Sequence, residues 1–161
     1  MTVLHSYAAS ARLLPIKFLL LLTQTILVVI VILEEENHIY FDVGENYSEN
    51  STVYKDAVVE LEGVSGTMIG LCGLEFLMMI VGTSAVPSFA KYNLLQIILH
   101  LLGCLFTLWF ILDSWRYDRI WALFVLFSLL PIGVEINIIW QSYILNKGIR
   151  KARRGELKLV K

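Results

Sequence analysis

The sequence predicts an all-α membrane protein of four transmembrane helices with both termini in the cytoplasm, and three observations carry that expectation. Of its 161 residues, 57% are hydrophobic and the mean hydropathy is +0.70, too apolar for a soluble domain of this size to hide inside one core. Four segments each supply about 20 mainly apolar residues, the length needed to cross about 30 Å of hydrocarbon. The net charge of −1 conceals an uneven distribution, acid early and base late, and that asymmetry gives the chain a direction.

The first span is expected from Leu14 to Leu33. Arg12 and Lys17 lie at its start, and Glu34-Glu35-Glu36 follows it without a small-x-small cleavage site, so it reads as a retained anchor and not as a signal peptide. Residues 34–63 then read as a solvated acidic loop, whose one modest apolar stretch, Thr52 to Val59, is interrupted by Lys55 and Asp56. The second span is expected from Val64 to Val86, where Pro87 discourages continuation. The third runs from Leu94 to Leu112. The fourth runs from Ile120 to Leu145 with Pro131 in its middle, which a membrane helix tolerates because neighbouring groups satisfy the freed carbonyl; a kink is expected there. Residues 146–161 form a basic tail, and the whole chain, 1–161, is one four-span domain.

Cytoplasmic flanks of membrane spans carry the excess of Lys and Arg. Here those are Arg12 and Lys17, Lys91 in the second loop, and Lys147, Arg150, Lys151, Arg153, Arg154, Lys158 and Lys161 in the tail. The first loop has one cation, Lys55, among nine acids, and it holds two glycosylation acceptors, at Asn46 and Asn50. It is therefore expected in the lumen or outside the cell. Asp113 to Arg119, with two acids and two bases, votes for neither side. Trp115, Tyr117 and Trp121 cluster at the outer interface, and Trp140 and Tyr143 at the inner one, as amphipathic rings prefer.

Ionisable groups at membrane depth are costly and raise a functional question. Glu75 and Glu135 fall about 11 and 10 residues from the cytoplasmic ends of their spans, roughly 15 Å deep, and His100 lies roughly 9 Å in. A shared polar cluster is geometrically allowed. In one account these groups form a proton or cation relay; in the other, each carboxyl is protonated or bonded to a neighbour such as Asn137, Gln24 or His100, and holds the helices in register. Four short helices without an inverted repeat leave little room for a transport pathway.

Span two also carries Gly63, Gly66, Gly70 and Gly73, three and four residues apart along one helical face. Such spacing lets two membrane helices approach closely. Glu75 points roughly 160° from that stripe at 100° per residue, so the span is expected to meet protein on both sides, either the chain's own helices on both or a second protein on one.

No catalytic constellation stands out: there is no His-Glu-x-x-His, no Gly-x-Ser-x-Gly and no phosphate loop. The two cysteines, Cys72 and Cys104, sit inside apolar runs and suggest neither a disulfide nor a metal site. No cofactor is expected. The basic tail would attract anionic lipid or simply flank a stop-transfer span, and without interleaved aromatics it gives no support for nucleic-acid binding.

The run from His100 through Trp115, then Trp121, Phe124, Val125, Phe127, Ser128, Leu130, Pro131 and Glu135, resembles the last two spans of the transmembrane protein 107 family, and Gly73-Leu74-Glu75 resembles that family's second span. The resemblance covers about residues 64–146. It implies a multi-pass membrane protein of the ciliary transition zone in the Meckel syndrome complex, a scaffold that binds other transition-zone membrane proteins and supports cilium assembly and the diffusion barrier, without catalysis. Glu75, Pro131 and Glu135 carry over as structural or partner-facing positions. The rival readings are a small proton-coupled carrier using Glu75, His100 and Glu135, and a tetraspan adhesion protein, the latter weakened by a first loop without cysteine.

Overall fold

A computed structural model of the chain describes residues 2–43, 52–80, 90–113 and 116–159. Helix α1 (Thr2–Leu33) is followed by the short α2 (Glu35–Val43), then by α3 (Thr52–Ile80) and α4 (Ala90–Leu112). A 3₁₀ turn (Tyr117–Arg119) leads into α5 (Ile120–Phe124), a π-helical turn (Val125–Leu129) and α6 (Leu130–Leu159), which run on as one helix. Among the described residues no strand occurs. Four stretches are long and apolar enough to cross a membrane: Leu13–Leu33, Thr52–Ile80, Lys91–Leu112 and Tyr117–Gln141. The protein is an all-α membrane protein.

The helices associate through seams whose residues alternate three and four apart. In α1 these are Lys17, Leu21, Gln24, Val28 and Val31; in α4 they are Asn93, Gln96, His100, Gly103, Thr107 and Phe110. A spacing averaging about 3.5 residues keeps one stripe on the neighbouring helix, the geometry of left-handed bundles. Helix α1 packs most extensively on α4 and next on α3. The outward surfaces carry Leu19, Leu22, Ile26, Leu77, Leu101 and Leu105, as a bilayer solvent requires. Hydroxyls on the flanks are satisfied within their own helix, Thr23 to the Leu19 carbonyl and Thr25 to that of Leu21.

An apolar cluster fills one half of the bundle. It joins Val28 and Val31 of α1, Ile39 of α2, Ala57, Leu61, Val64 and Met68 of α3, Phe110 of α4, and Ile120, Leu123 and Phe127 of the last span. Helix α2 closes that end, with His38 stacked on Phe110 at 4.3 Å and Tyr40 against Tyr54 at 5.7 Å.

The structure corrects the expected boundaries. Residues 52–63, expected as loop, are the first three turns of α3, and residues 35–43 are helical as well. Lys55 and Asp56 break the apolar run in sequence but lie on the exposed face, while Ala57 and Leu61 continue the buried seam. Charges on the outer side of a helix do not end it. The described part of α3 stops at Ile80, so the expected end at Val86 and Pro87 lies outside the described residues, as do Asn46 and Asn50. Just before Pro131, where a kink is expected from the sequence, the helix carries a π turn in which the Leu130 N–H reaches the Val125 carbonyl. The tail is no loop either, since α6 continues to Leu159.

At the α1–α2 junction the Glu35 carboxyl is partly withdrawn from water, and this burial, followed by the charges of Glu62 and Glu36, raises its pKa above the usual carboxylate value. A raised folded-state pKa contributes stability that is complete below the unfolded pKa and lost as pH rises through the folded one. Glu35→Gln should therefore raise the midpoint of thermal unfolding in detergent at pH 7, with the gain vanishing below about pH 4 where both side chains are neutral. An equal effect at both pH values would refute this account.

Candidate functional site

Where the apolar cluster ends, the same seams carry polar side chains, and these form two adjacent layers. In the layer nearer the N-terminal end of span one, Lys17 Nζ donates to Gln96 Oε1 at 2.7 Å and lies 3.2 Å from Glu135 Oε2. Gln96 Nε2 donates to that same carboxylate oxygen at 2.8 Å and to the Pro131 carbonyl at 3.2 Å. Lys17 and Glu135 are about 1% exposed, so the lysine does not snorkel outward as most membrane lysines do. It is held inward because its seam position faces α4 and because a carboxylate and an amide oxygen await it there.

The second layer joins α1, α3, α4 and the last span. Gln24 Nε2 donates to the Phe127 carbonyl at 2.9 Å, its Oε1 faces His100 Nδ1 at 2.7 Å, and His100 Nε2 faces Glu75 Oε2 at 2.9 Å. In a regular helix the donor to the Phe127 carbonyl would be residue 131, which is a proline without an N–H. Gln24 supplies the missing donor from another helix. A carbonyl can only accept, so this bond fixes the orientation of the Gln24 amide and makes its oxygen an acceptor. His100 Nδ1 must then carry a proton. One further proton is shared between His100 Nε2 and Glu75, either as imidazolium with carboxylate or as imidazole with carboxylic acid. Both arrangements are electrically neutral as a pair, which is the condition for burial at this depth.

Gly103 makes the second layer sterically available. A Cβ at this position would stand 3.0 Å from Phe127 Cβ and 3.1 Å from Gln24 Nε2. Cys104 beside it reaches the Leu20 carbonyl through its sulfur at 3.5 Å. The two cysteines are free and buried.

The glycine stripe of α3 has the opposite character. A Cβ at Gly63, Gly66, Gly70 or Gly73 would meet nothing within 4 Å. Among the described residues the chain's own helices thus cover the Glu75 face and leave the glycine face open, so of the two alternatives the one in which both faces pack internally is not seen there. At its N-terminal end the stripe borders a groove formed by Val59, Glu60, Thr67, Trp121 and Phe124, where the Trp121 indole donates to the Glu60 carboxylate.

Of the residues singled out in the sequence, Glu75 and His100 meet directly, whereas Glu135 sits in the other layer, out of the pairing with His100 that was open to it. Asn137 bonds neither carboxylate; it accepts from Gln141 at 2.6 Å. Pro131 is buried and contributes through its two effects on carbonyls. The sequence reading missed Lys17 as a network member, and Gln96 and Gly103 altogether. The signal was present in the spacing: Lys17, Leu21, Gln24 and Val28 share one stripe of α1, and Gln96 and His100 lie one turn apart on α4. Among the described residues no group of three or more His, Cys, Asp or Glu is placed to hold a metal. What the arrangement does chemically is to lock four helices together with paired charges.

Removing one partner of a buried pair leaves an uncompensated charge, at a cost of about 3–5 kcal/mol. Lys17→Met and Glu135→Leu should each lower stability toward denaturing detergent by about that amount, and the double variant should lose clearly less than the sum. Additive losses would show that the two groups do not act as a pair. Gly103→Val should be destabilising by displacing Gln24, with the same readout.

The family model for transmembrane protein 107 (TMEM107: Transmembrane protein) matches residues 13–139. The chain matches no curated protein and no solved structure. The matched stretch runs from the start of the first span almost to the end of the last, and so takes in both polar layers, the glycine face and the proline-bearing helix. The chain belongs to the transmembrane protein 107 family.

Proposed function

We propose that the protein is an integral membrane scaffold of the ciliary transition zone, with both termini cytoplasmic, which holds other membrane proteins of that zone through its helices and performs no catalysis. The observation that carries this reading is the open glycine face of α3. A helix that spends its polar side on its own bundle and presents a small-residue side to the bilayer is suited to close approach by another span. Family membership supports the location and the absence of chemistry.

The carrier reading has less support. The ionisable groups pair with one another within two neighbouring layers, and beyond them the seam is filled by Val28, Val31, Ile39, Leu61 and Phe110. A relay would have to cross that apolar half.

Two measurements test the scaffold. A C-terminally tagged copy in ciliated cells should form a band between markers of the basal body and the axoneme; signal only in the endoplasmic reticulum or plasma membrane would defeat the location. Gly66→Leu with Gly70→Leu should leave thermal stability of the isolated protein unchanged, because nothing in the chain occupies the added volume, yet reduce co-isolated transition-zone membrane proteins several-fold. Unchanged partners and stoichiometry would mean that the glycine face is not the contact.

A further inference from the structure

We infer that the groove between α3 and the start of the last span is a binding site for a sterol. Helix α3 supplies its floor with Gly63, Val64 and Thr67, and the rings of Trp121 and Phe124 form its wall. Gly63, Thr67 and Trp121 are exposed and belong to stretches long and apolar enough to cross a membrane, so an occupant of the groove enters from the bilayer. The mouth of the groove is polar, because the Trp121 indole donates to the Glu60 carboxylate there. Arg119, two residues before Trp121, is exposed, which puts this mouth at the interface, the level that indoles favour.

Size decides between a helix and a lipid. From Glu60 to Thr67 the groove runs about 10 Å along α3, and its volume is about 270 Å³. A helix about 10–12 Å across is too thick for it, whereas a chain or a fused ring system is not. The volume falls just short of enclosed small-molecule sites, about 300–1,000 Å³, so the groove holds one side of a ligand and leaves the other against lipid. Gly66, Gly70 and Gly73 do not line it. They occupy the neighbouring face of α3, roughly a quarter turn away at 100° per residue, and a helix docked on them leaves the groove accessible.

Rigidity and charge choose among lipids. The Thr67 hydroxyl is turned back to the Gly63 carbonyl at 2.8 Å, which leaves the floor apolar, and Trp121 and Phe124 brace each other edge to face at 5.9 Å. An acyl chain laid against such fixed walls loses rotamer freedom at each bond, while a fused ring system has little to lose. The Glu60 carboxylate repels a phosphate head group, and Glu34, Glu36 and Glu62, exposed or nearly so at the same end of the bundle, add to that repulsion. A hydroxyl, in contrast, can donate to Glu60, since a carboxylate accepts several donors beyond the indole. A rigid apolar body ending in one neutral hydroxyl is the chemistry of a sterol.

The test uses the full-length protein in phosphatidylcholine nanodiscs and a photoreactive cholesterol analogue, with the cross-linked peptides mapped. Label should fall on residues 59–67 and 121–124 and be displaced by cholesterol but not by an equal excess of monoolein, which offers hydroxyls on a flexible chain. Thr67→Phe fills the groove and should abolish that label without shifting the thermal midpoint. Glu60→Leu should weaken labelling about tenfold, the loss of one hydrogen bond to a charged group. A photoreactive analogue lacking the hydroxyl should label the unaltered protein and Glu60→Leu equally, a comparison that a general effect of the substitution on folding would upset. Gly66→Leu with Gly70→Leu should leave the label in place. The inference is overturned if label spreads evenly over the lipid-facing surface, if monoolein competes as well as cholesterol, if Thr67→Phe or loss of the hydroxyl changes nothing, or if the label depends on Gly66 and Gly70, which would move the ligand to the helix-docking face.

Discussion

A charge inside hydrocarbon must find its counter-charge within the protein, and most of this structure follows from that requirement. The chain places one lysine, one histidine, two glutamates and two glutamines on inward seams. Each helix alone would be a poor membrane segment at those positions. Together they close two neutral sets, Lys17 with Gln96 and Glu135, and Gln24 with His100 and Glu75. Helices α1 and α4 each contribute to both sets, and they form the most extensive contact in the bundle. Polar contacts between membrane helices are individually modest, about 0.6–2 kcal/mol. Their larger effect is on specificity, because any other register or neighbour strands a charge.

Backbone satisfaction extends the same logic. Pro131 removes a donor from the last span, the π turn rearranges the bonds just before it, and Gln24 supplies the donor that the Phe127 carbonyl lacks. That bond then dictates which end of the Gln24 amide faces His100, and so the protonation of Nδ1. A backbone defect in one helix is thereby coupled to the protonation of a side chain in another. Gly103 is the steric condition for all of it, since the amide lies where a side chain would otherwise be.

The number of spans and the helical class were legible in the sequence because bilayer thickness leaves few alternatives for a 20-residue apolar run. Depth alone allowed His100 to approach either Glu75 or Glu135; the structure pairs it with Glu75. The extent of α3 was not, because Lys55 and Asp56 interrupt hydropathy without interrupting the 3.5-residue pattern of Ala57, Leu61 and Val64. Lys17 was misread for a related reason. A lysine near a span end is ordinarily a topological marker with its ammonium at the interface, and only the tertiary position of Glu135, 118 residues away, turns it inward. Gln96 escaped because glutamine carries no charge to mark it, although it lies one turn from His100.

The same economy shapes how the protein can meet others. Its ionisable side chains at membrane depth, Lys17, Glu75, His100 and Glu135, are paired internally, so within the hydrocarbon the surface it offers is one of shape: bare backbone at Gly63, Gly66, Gly70 and Gly73, with space for another helix. Outside the hydrocarbon the constraint reverses. Water satisfies charges there, and the chain displays them, as acid on Glu34, Glu36 and Glu62 at one end and as base on Lys147 at the other. Recognition by close packing is short-ranged and slow to search, whereas recognition by charge is long-ranged and steers encounter. A membrane protein that separates the two along its axis thus presents a packing surface inside the bilayer and a charged one outside it.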